Sequence, residues 1–263
     1  MFSYCSKMKN SPIIFLRKVI VALLPNNFNL RTRLSNGAVL SAKNRAGFGG
    51  RGIFIYRDSI ESEFEHLEKF LDSSGVFFDI GASSGMYTLK AAKHFQDDHG
   101  IVIALEPFPT MFSTLYQNVK LNKLNNIRIR NCCAGSFNGN STLWMNNNKP
   151  NAFSLIKMDQ EAEQFSSFTV TLDDLFSWEG LNRLDYIKID VEGTEYEVIK
   201  GAKNIIEKYR PIIQMEILAK DPRIDLDKYS VFQAPNSINK IYIPNESNKI
   251  QIPSMLGWVK LGT

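Results

Sequence analysis

The sequence predicts an α/β fold, a doubly wound parallel sheet with crossover helices, carried by the middle of the chain. Three observations lead there. Short apolar runs recur, each followed by a turn and a helical pattern. The first run ends in an acid and a glycine turn, Asp79-Ile80-Gly81-Ala82-Ser83-Ser84-Gly85, and the second ends in another acid, Glu106. Such alternation marks parallel strands joined by crossover helices.

Taken in order, strands are expected at Val76 to Ile80, Ile101 to Glu106, Ile127 to Cys133, Leu184 to Asp190 and Pro211 to Ile217. Helices are expected at Ser84 to Phe95, Thr110 to Leu121 and Thr194 to Lys208. Between the third and fourth strands, Ser141 to Val170 is rich in Asn and Ser and predicts strand and loop over one end of the sheet. The tail from Asp227 predicts edge strands around Lys240-Ile241-Tyr242-Ile243. Ahead of the sheet, Phe64, Leu67, Phe70 and Leu71 fall at helical intervals among glutamates, so a helix over Ser59 to Leu71 leads in with its glutamates toward water. Leu30 to Ile55 alternates around Asn36-Gly37 and a glycine cluster, Gly47, Gly49, Gly50 and Gly52, and predicts an antiparallel hairpin.

Earlier still, Ile13, Leu16, Ile20 and Leu23 recur at helical spacing. The stretch Ile13 to Leu24 is too short to span a bilayer, and Arg17 and Lys18 interrupt it. It also lacks a small-residue cleavage site. A helix packed on the domain as a lid or cap is expected, with peripheral membrane contact as the alternative and no stable membrane insertion. Residues 1–58 therefore read as an N-terminal helix and hairpin extension, and 59–263 as one main domain.

The chain is 44% hydrophobic and 22% charged, the composition of a globular protein with a sizeable core. Its net charge of +4 reads as spread along the chain without a long block of like charge, which argues against a nucleic-acid partner. Cys5, Cys132 and Cys133 offer neither metal-ligand spacing nor a disulfide framework, so a reducing, cytoplasmic setting is expected.

The candidate chemistry lies at the strand ends. A glycine turn that opens a helix presents free backbone amides to a ligand, and glycine permits close approach. Gly81 and Gly85 stand four apart, unlike the G-x-G-x-x-G of dinucleotide enzymes, so a nicotinamide cofactor is disfavoured. Glu106, followed by Pro107, lies where an acid can accept hydrogen bonds from both hydroxyls of a ribose. Cys133-Ala134-Gly135-Ser136 closes the third strand with small residues, which either leave room for a flat ring or pack plainly. On the fourth strand, period two places Lys188, Asp190 and then Glu192 on one face at the ligand crevice. A lysine and two carboxylates there could orient and deprotonate a hydroxyl, or the acids Asp190, Glu192 and Glu216 could hold a divalent cation such as Mg²⁺. Thr171 and Asp174 have the spacing of a helix capping box. His66, His94 and His99 stand beside no motif and are expected in solvent; Asn151 and Ser154 read as loop residues.

Several of these runs match a known pattern. Asp79-Ile80-Gly81-Ala82-Ser83-Ser84-Gly85-Met86-Tyr87-Thr88, Ala104-Leu105-Glu106-Pro107, Asn118 with Leu121-Asn122, Thr171-Leu172-Asp173-Asp174, Lys188-Ile189-Asp190-Val191-Glu192-Gly193, Arg210-Pro211 and Met215-Glu216-Ile217 resemble the FkbM-type S-adenosylmethionine-dependent methyltransferases. The resemblance covers Glu61 to Ile217. It implies a Rossmann-like methyltransferase sheet, S-adenosylmethionine as donor, and usually O-methylation of a hydroxyl on a sugar or other small-molecule natural product. By position it assigns Asp79, Gly81, Ser83 and Gly85 to the methionine end of the cofactor, Glu106 and Pro107 to the ribose side, and Ala134 to the adenine side. The pattern often has Asn at Ser83, which can still cap the helix, and an acid at Ser136, a departure that puts a side-chain contact to adenine there in question. N- or C-methylation on the same site and a non-catalytic cofactor-binding protein are the alternatives; the acceptor and the oligomeric state are not legible.

Overall fold

The structure is a computed structural model that describes residues 11–45, 50–96, 98–145, 153–154, 163–191, 193–216 and 224–262. It opens on a helix, α1 (Pro12–Leu23), with proline in the first turn where its missing N–H is no loss. The α1 side chains Ile14 and Val21 pack with Leu30 and Ile55 of the N-terminal extension itself. The expected lid on the main domain is therefore corrected to a helix seated on its own extension. Strands β1 (Asn29–Arg33) and β2 (Val39–Lys43) form the hairpin around Gly37 and turn Leu30, Thr32, Leu40 and Ala42 inward.

That hairpin is shorter than expected, because Gly50–Tyr56 is a helix, α2. A Cβ on Gly50 would run into the carbonyl oxygen of Lys43, so the chain doubles back against β2 where only glycine fits. Buried Ile53 and Ile55 in so short a helix imitate strand alternation. The lead-in helix is also broken, into a 3-10 turn at Arg57–Ile60, a single helical turn α3 (Ser62–Glu65) and a second 3-10 turn at Leu67–Lys69. Glu63 is buried there rather than in water.

The main domain follows as β3 (Val76–Ile80), α4 (Met86–His94), β4 (Ile101–Leu105), α5 (Pro109–Asn122) and β5 (Ile127–Arg130). Then come β6 (Cys133–Ala134), β7 (Gly139–Met145), β8 (Phe153–Ser154), β9 (Glu163–Val170) and α6 (Leu172–Trp178). The chain continues through β10 (Tyr186–Ile189), α7 (Glu195–Lys200), α8 (Lys203–Tyr209) and β11 (Ile212–Glu216). It closes with β12 (Tyr229–Gln233), β13 (Asn239–Pro244), α9 (Ile252–Met255) and β14 (Val259–Lys260).

The large sheet runs β14-β12-β13-β11-β10-β3-β4-β5, with β5, β4, β3, β10 and β11 parallel and β13 antiparallel to β11. The chain winds outward from β3 to β5, then returns to the other side of β3 as β10. This is the doubly wound α/β sheet expected, and its strand order reverses between β3 and β10, where such sheets open a crevice at their carboxyl ends.

Two expectations change in detail. The third strand stops at Arg130, and Cys133-Ala134 instead pairs with β9 in a separate four-stranded sheet, order β6-β9-β7-β8. Asn131 between them donates to the carbonyls of Glu106 and Pro107, which turns the chain out of the first sheet. The helix expected over Thr194 to Lys208 breaks into α7 and α8 at Gly201, whose backbone lies against the carbonyl of Gly135 with no room for a Cβ.

The hairpin is bound into the main core. Leu34, Leu40, Ala42 and Ile53 share one buried cluster with Phe64, Phe77, Tyr87 and Leu89. Two asparagines one turn apart on α5 fasten it: Asn118 accepts from Ser41 N at 2.8 Å and donates to Ser84 O at 2.9 Å, while Asn122 accepts from Val39 N and donates to Val39 O. Asn118 is buried, so replacing it with alanine strands a buried donor and acceptor. Asn118→Ala should lower stability by about 2–3 kcal/mol in urea denaturation, and a loss below about 0.5 kcal/mol would show that water replaces both bonds.

Candidate functional site

The site begins where β3 ends. Its register sets Asp79 between Lys188 of β10 and Ala104 of β4. Beyond Ile80 the chain turns through left-handed residues, Gly81 (φ 79°), Ser83 (φ 49°) and Gly85 (φ 90°). Gly81 lies against the carbonyl of Asp190, which leaves no space for a Cβ, and a Cβ on Gly85 would come within 2.6 Å of Leu115 Cδ1. Glycine is required at Gly81 by backbone contact as well as by dihedral, and at Gly85 by dihedral, since the Leu115 side-chain end can give way. Gly85 is the residue that precedes α4, so Ser83 does not cap the helix as expected. Its hydroxyl turns toward Met111 Sδ and its amide donates 2.7 Å to Glu106 Oε2. A left-handed residue with a side chain is strained, and such strain concentrates at ligand sites.

Lys188 lies almost fully buried over this turn. Its Nζ is 3.1 Å from Asp190 Oδ2 and 3.9 Å from Asp79 Oδ1, and 5.0 Å above the Tyr87 ring. Burial works against its charge, yet the Asp190 and Asp79 carboxylates outweigh that and lift its pKa. Burial likewise lifts the Asp79 carboxyl, with Lys188 and the Thr88 hydroxyl pulling the other way. Thr88 donates to Asp79 Oδ2 at 2.5 Å, whereas Oδ1 has no hydrogen-bond partner among the described residues. Asp190, just past the carboxyl end of β10, is half exposed and is the outer partner of the pair. The expected meeting of Lys188 and Asp190 is thus observed; Glu192 lies outside the described residues.

Sequence reasoning missed the polar chain beneath the lysine. Tyr87 donates to Glu61 at 2.7 Å and accepts from Gln214, which accepts from Tyr186. The signal was present in Tyr87, inside the glycine-turn motif, but its partners are far away in sequence.

Glu106 is 6% exposed and accepts from Ser83 N and Phe108 N, at 2.7 and 2.9 Å. Burial pushes its carboxyl up to about 7 despite those two amides. Pro107 beside it is partly exposed. Ala134 is buried in the second sheet, paired with Val170. Next to it, Ser136 donates to Glu197. Glu216 follows Met215, the partner of Ile189, and so ends its strand level with Asp190. Among the described residues no group of three or more His, Cys, Asp or Glu is placed to hold a metal ion.

The remaining candidates are structural or outside the site. Thr171 accepts from Asp174 N at the start of α6, as the capping box predicts. Asp173 adds what the spacing did not show, accepting from Asn204 N and Ile205 N at the start of α8. His66 is partly buried rather than solvated, and burial lowers its pKa; His99 is exposed. Asn151 lies outside the described residues.

A family model described as the methyltransferase FkbM domain matches residues 79–235, from the acid of the glycine turn to the edge strands. The chain belongs to the FkbM methyltransferase family. Its relatives include Methyltransferase 1 of Beauveria bassiana, 28% identical over 54% of this chain and 68% of that protein. Another is the 31-O-demethyl-FK506 methyltransferase FkbM of Streptomyces tacrolimicus, 26% identical over 65% of this chain and 75% of that protein. Among solved structures, a methyltransferase FkbM from Methylobacillus flagellatus shares 18% identity over 73% of this chain, with a TM-score of 0.43. The present chain spans about half of that solved chain, 52%.

The buried lysine gives this site a stability test. Lys188→Ala leaves Asp79 buried without its cation, which should cost about 3–5 kcal/mol. Asp79 already has a raised pKa, and losing Lys188 raises it further, so the folded variant holds a proton that the unfolded chain releases. Its stability should therefore be higher at acid pH and fall as pH rises. Urea denaturation of the variant should show a larger deficit at pH 8 than at pH 5; a deficit independent of pH would mean that Asp79 does not take up the proton.

Proposed function

We propose that the protein is an S-adenosylmethionine-dependent O-methyltransferase acting on a hydroxyl of a sugar, glycan or other small-molecule natural product. The observation that carries this reading is the convergence of the glycine turn, the Glu106 carboxyl and the Lys188–Asp190 pair at the carboxyl ends of neighbouring strands. The residues fit the cofactor. Among the described residues Asp79 Oδ1 is a buried acceptor without a hydrogen-bond partner, and Glu106 accepts from two amides although a carboxylate accepts about four hydrogen bonds. Asp79, Gly81, Ser83 and Gly85 would hold the methionine end, Glu106 with Pro107 the ribose, and Ala134 the adenine side. S-Adenosylmethionine supplies a methyl group made electrophilic by its sulfonium.

The chain's own contribution is to hold and align the acceptor hydroxyl and to take its proton. Asp190 is the exposed member of the ion pair and so the oxygen that an acceptor can reach, while Lys188, 3.1 Å away, holds it in place. Alignment supplies most of the acceleration in a transfer between two bound partners. The name of the Streptomyces relative, which concerns an O-demethyl substrate, supports oxygen as the accepting atom.

Two experiments test this reading. Asp190→Asn should lower methyl transfer about a hundredfold while leaving S-adenosylhomocysteine affinity nearly unchanged, and full turnover in the variant would remove Asp190 from proton transfer. Dialysis against EDTA in the same assay separates the two roles open to this acid: unchanged turnover assigns it to the proton, and a loss restored by Mg²⁺ assigns it, with Glu192 or Glu216, to a cation.

The second experiment uses the raised Glu106 pKa. Ribose hydroxyls donate best to the ionised carboxyl, which in the free protein is mostly protonated at pH 6 and mostly ionised at pH 8. Calorimetric affinity for S-adenosylhomocysteine should therefore be about tenfold weaker at pH 6 than at pH 8. Glu106→Ala should cost about 2–4 kcal/mol of binding at pH 8 and remove that dependence. Equal affinities of wild type and variant would place the ribose elsewhere.

A further inference from the structure

The chain's charge is not spread evenly, as its net value implied. Residues 1–58 carry ten Lys and Arg against the single acid Asp58, a net of +9, so the rest of the chain carries −5 of the total of +4. In the described part of this extension Lys18, Arg31, Arg33, Lys43 and Arg57 are exposed, and Arg31, Arg33 and Lys43 share the outward face of the hairpin.

Helix α1, in the same extension, is apolar on the wrong side for a core helix. Ile14 and Val21, two turns apart, form its narrow buried stripe. At 3.6 residues per turn, Arg17 and Lys18 flank that stripe on either side, and the arc opposite holds Pro12, Ile13, Phe15, Leu16, Val19, Ile20, Ala22 and Leu23 without one polar side chain. Phe15 is 71% exposed and Leu23 79%, with Ile13, Leu16 and Val19 also in water and Phe28 exposed just beyond the helix. Contiguous apolar surface of this size marks an interaction site. With 12 residues the helix does not span a bilayer, and among the described residues no helix is long and apolar enough to do so.

We propose that the N-terminal extension docks the enzyme on the surface of an anionic lipid bilayer, with α1 lying in the headgroup plane. The outer arc of α1 enters the acyl boundary, Arg17 and Lys18 hold the helix to the extension through the Ile55 carbonyl and the Tyr56 ring, and the cationic charge of the extension supplies attraction to the negative surface. The charge decides for a membrane over a second copy of the chain. Two copies meeting through these extensions would bring +9 against +9, whereas an anionic surface neutralises it. The inference is independent of the reaction assigned above, since it rests on residues outside the crevice.

The test is sedimentation of the purified full chain with vesicles. It should pellet with mixed phosphatidylglycerol and phosphatidylcholine vesicles, remain in solution with phosphatidylcholine alone, and be partly released by about 0.5 M NaCl. The variant Phe15→Ser/Leu23→Ser should bind anionic vesicles at least about tenfold more weakly with an unchanged melting temperature, because both side chains are exposed. Arg31→Glu/Arg33→Glu should weaken it similarly. Failure to pellet with anionic vesicles, or pelleting that survives the apolar double variant, overturns the proposal. So does a dimer in analytical ultracentrifugation that Phe15→Ser/Leu23→Ser dissociates, which would give the arc to a second copy. Binding to duplex DNA tighter than to vesicles would give the basic face to nucleic acid.

Discussion

A buried cation held between carboxylates of two adjacent strands organises this end of the molecule. Lys188 is almost without water, and what keeps it charged is Asp79 on β3 and Asp190 beyond the end of β10. Neither acid is free to move: Thr88 at the start of α4 holds Asp79, and the Asp190 amide donates to Ile80 O. The ion pair therefore joins the strands on either side of the switch point and the helix that follows the glycine turn. Gly81 closes the same seam by resting on the Asp190 carbonyl. The turn geometry and the charge pair constrain each other, which is why both glycine conformation and lysine length are needed in one place.

From that seam the arrangement spreads outward through polar contacts that cross the chain. The ring of Tyr87 lies under Lys188, and its hydroxyl links the lead-in residue Glu61 to Gln214 on β11. On the other flank, the Ser83 amide that the turn exposes is taken by Glu106, so the first and second strand ends are joined through one carboxyl. Asn118 connects the turn, through Ser84, to the hairpin strand β2. The N-terminal extension is thus held by the same residues that shape the site, and a load on the extension reaches the glycine turn through two hydrogen bonds.

The extension also divides the molecule electrostatically. Its inner hairpin face shares the apolar core, its outer side is cationic, and the helix at its edge turns apolar side chains to solvent. The main domain, net acidic, carries the crevice. If the extension docks as proposed, the anionic surface would draw in the basic end and repel the acidic domain toward the aqueous side.

What the sequence by itself determined is what depends on neighbours along the chain. Apolar periodicity located the parallel strands, glycine spacing and the strand-end acids Asp79 and Glu106 located the turn, and period two brought Lys188 to Asp190. Local capping chemistry marked Thr171 correctly. What only the tertiary structure decided depends on residues distant in sequence. Gln214 and Tyr87 are 127 positions apart, and Asn118 and Ser41 are 77 apart. No local pattern announces that Gly50 must admit Lys43 O or that Gly201 must admit Gly135 O, so the glycine cluster read as a hairpin and the last long helix read as unbroken. Glu63 and the outer face of α1 show the same limit from both sides. A helical period says which residues share a face, but whether that face meets protein or solvent is set by what the rest of the chain packs against it.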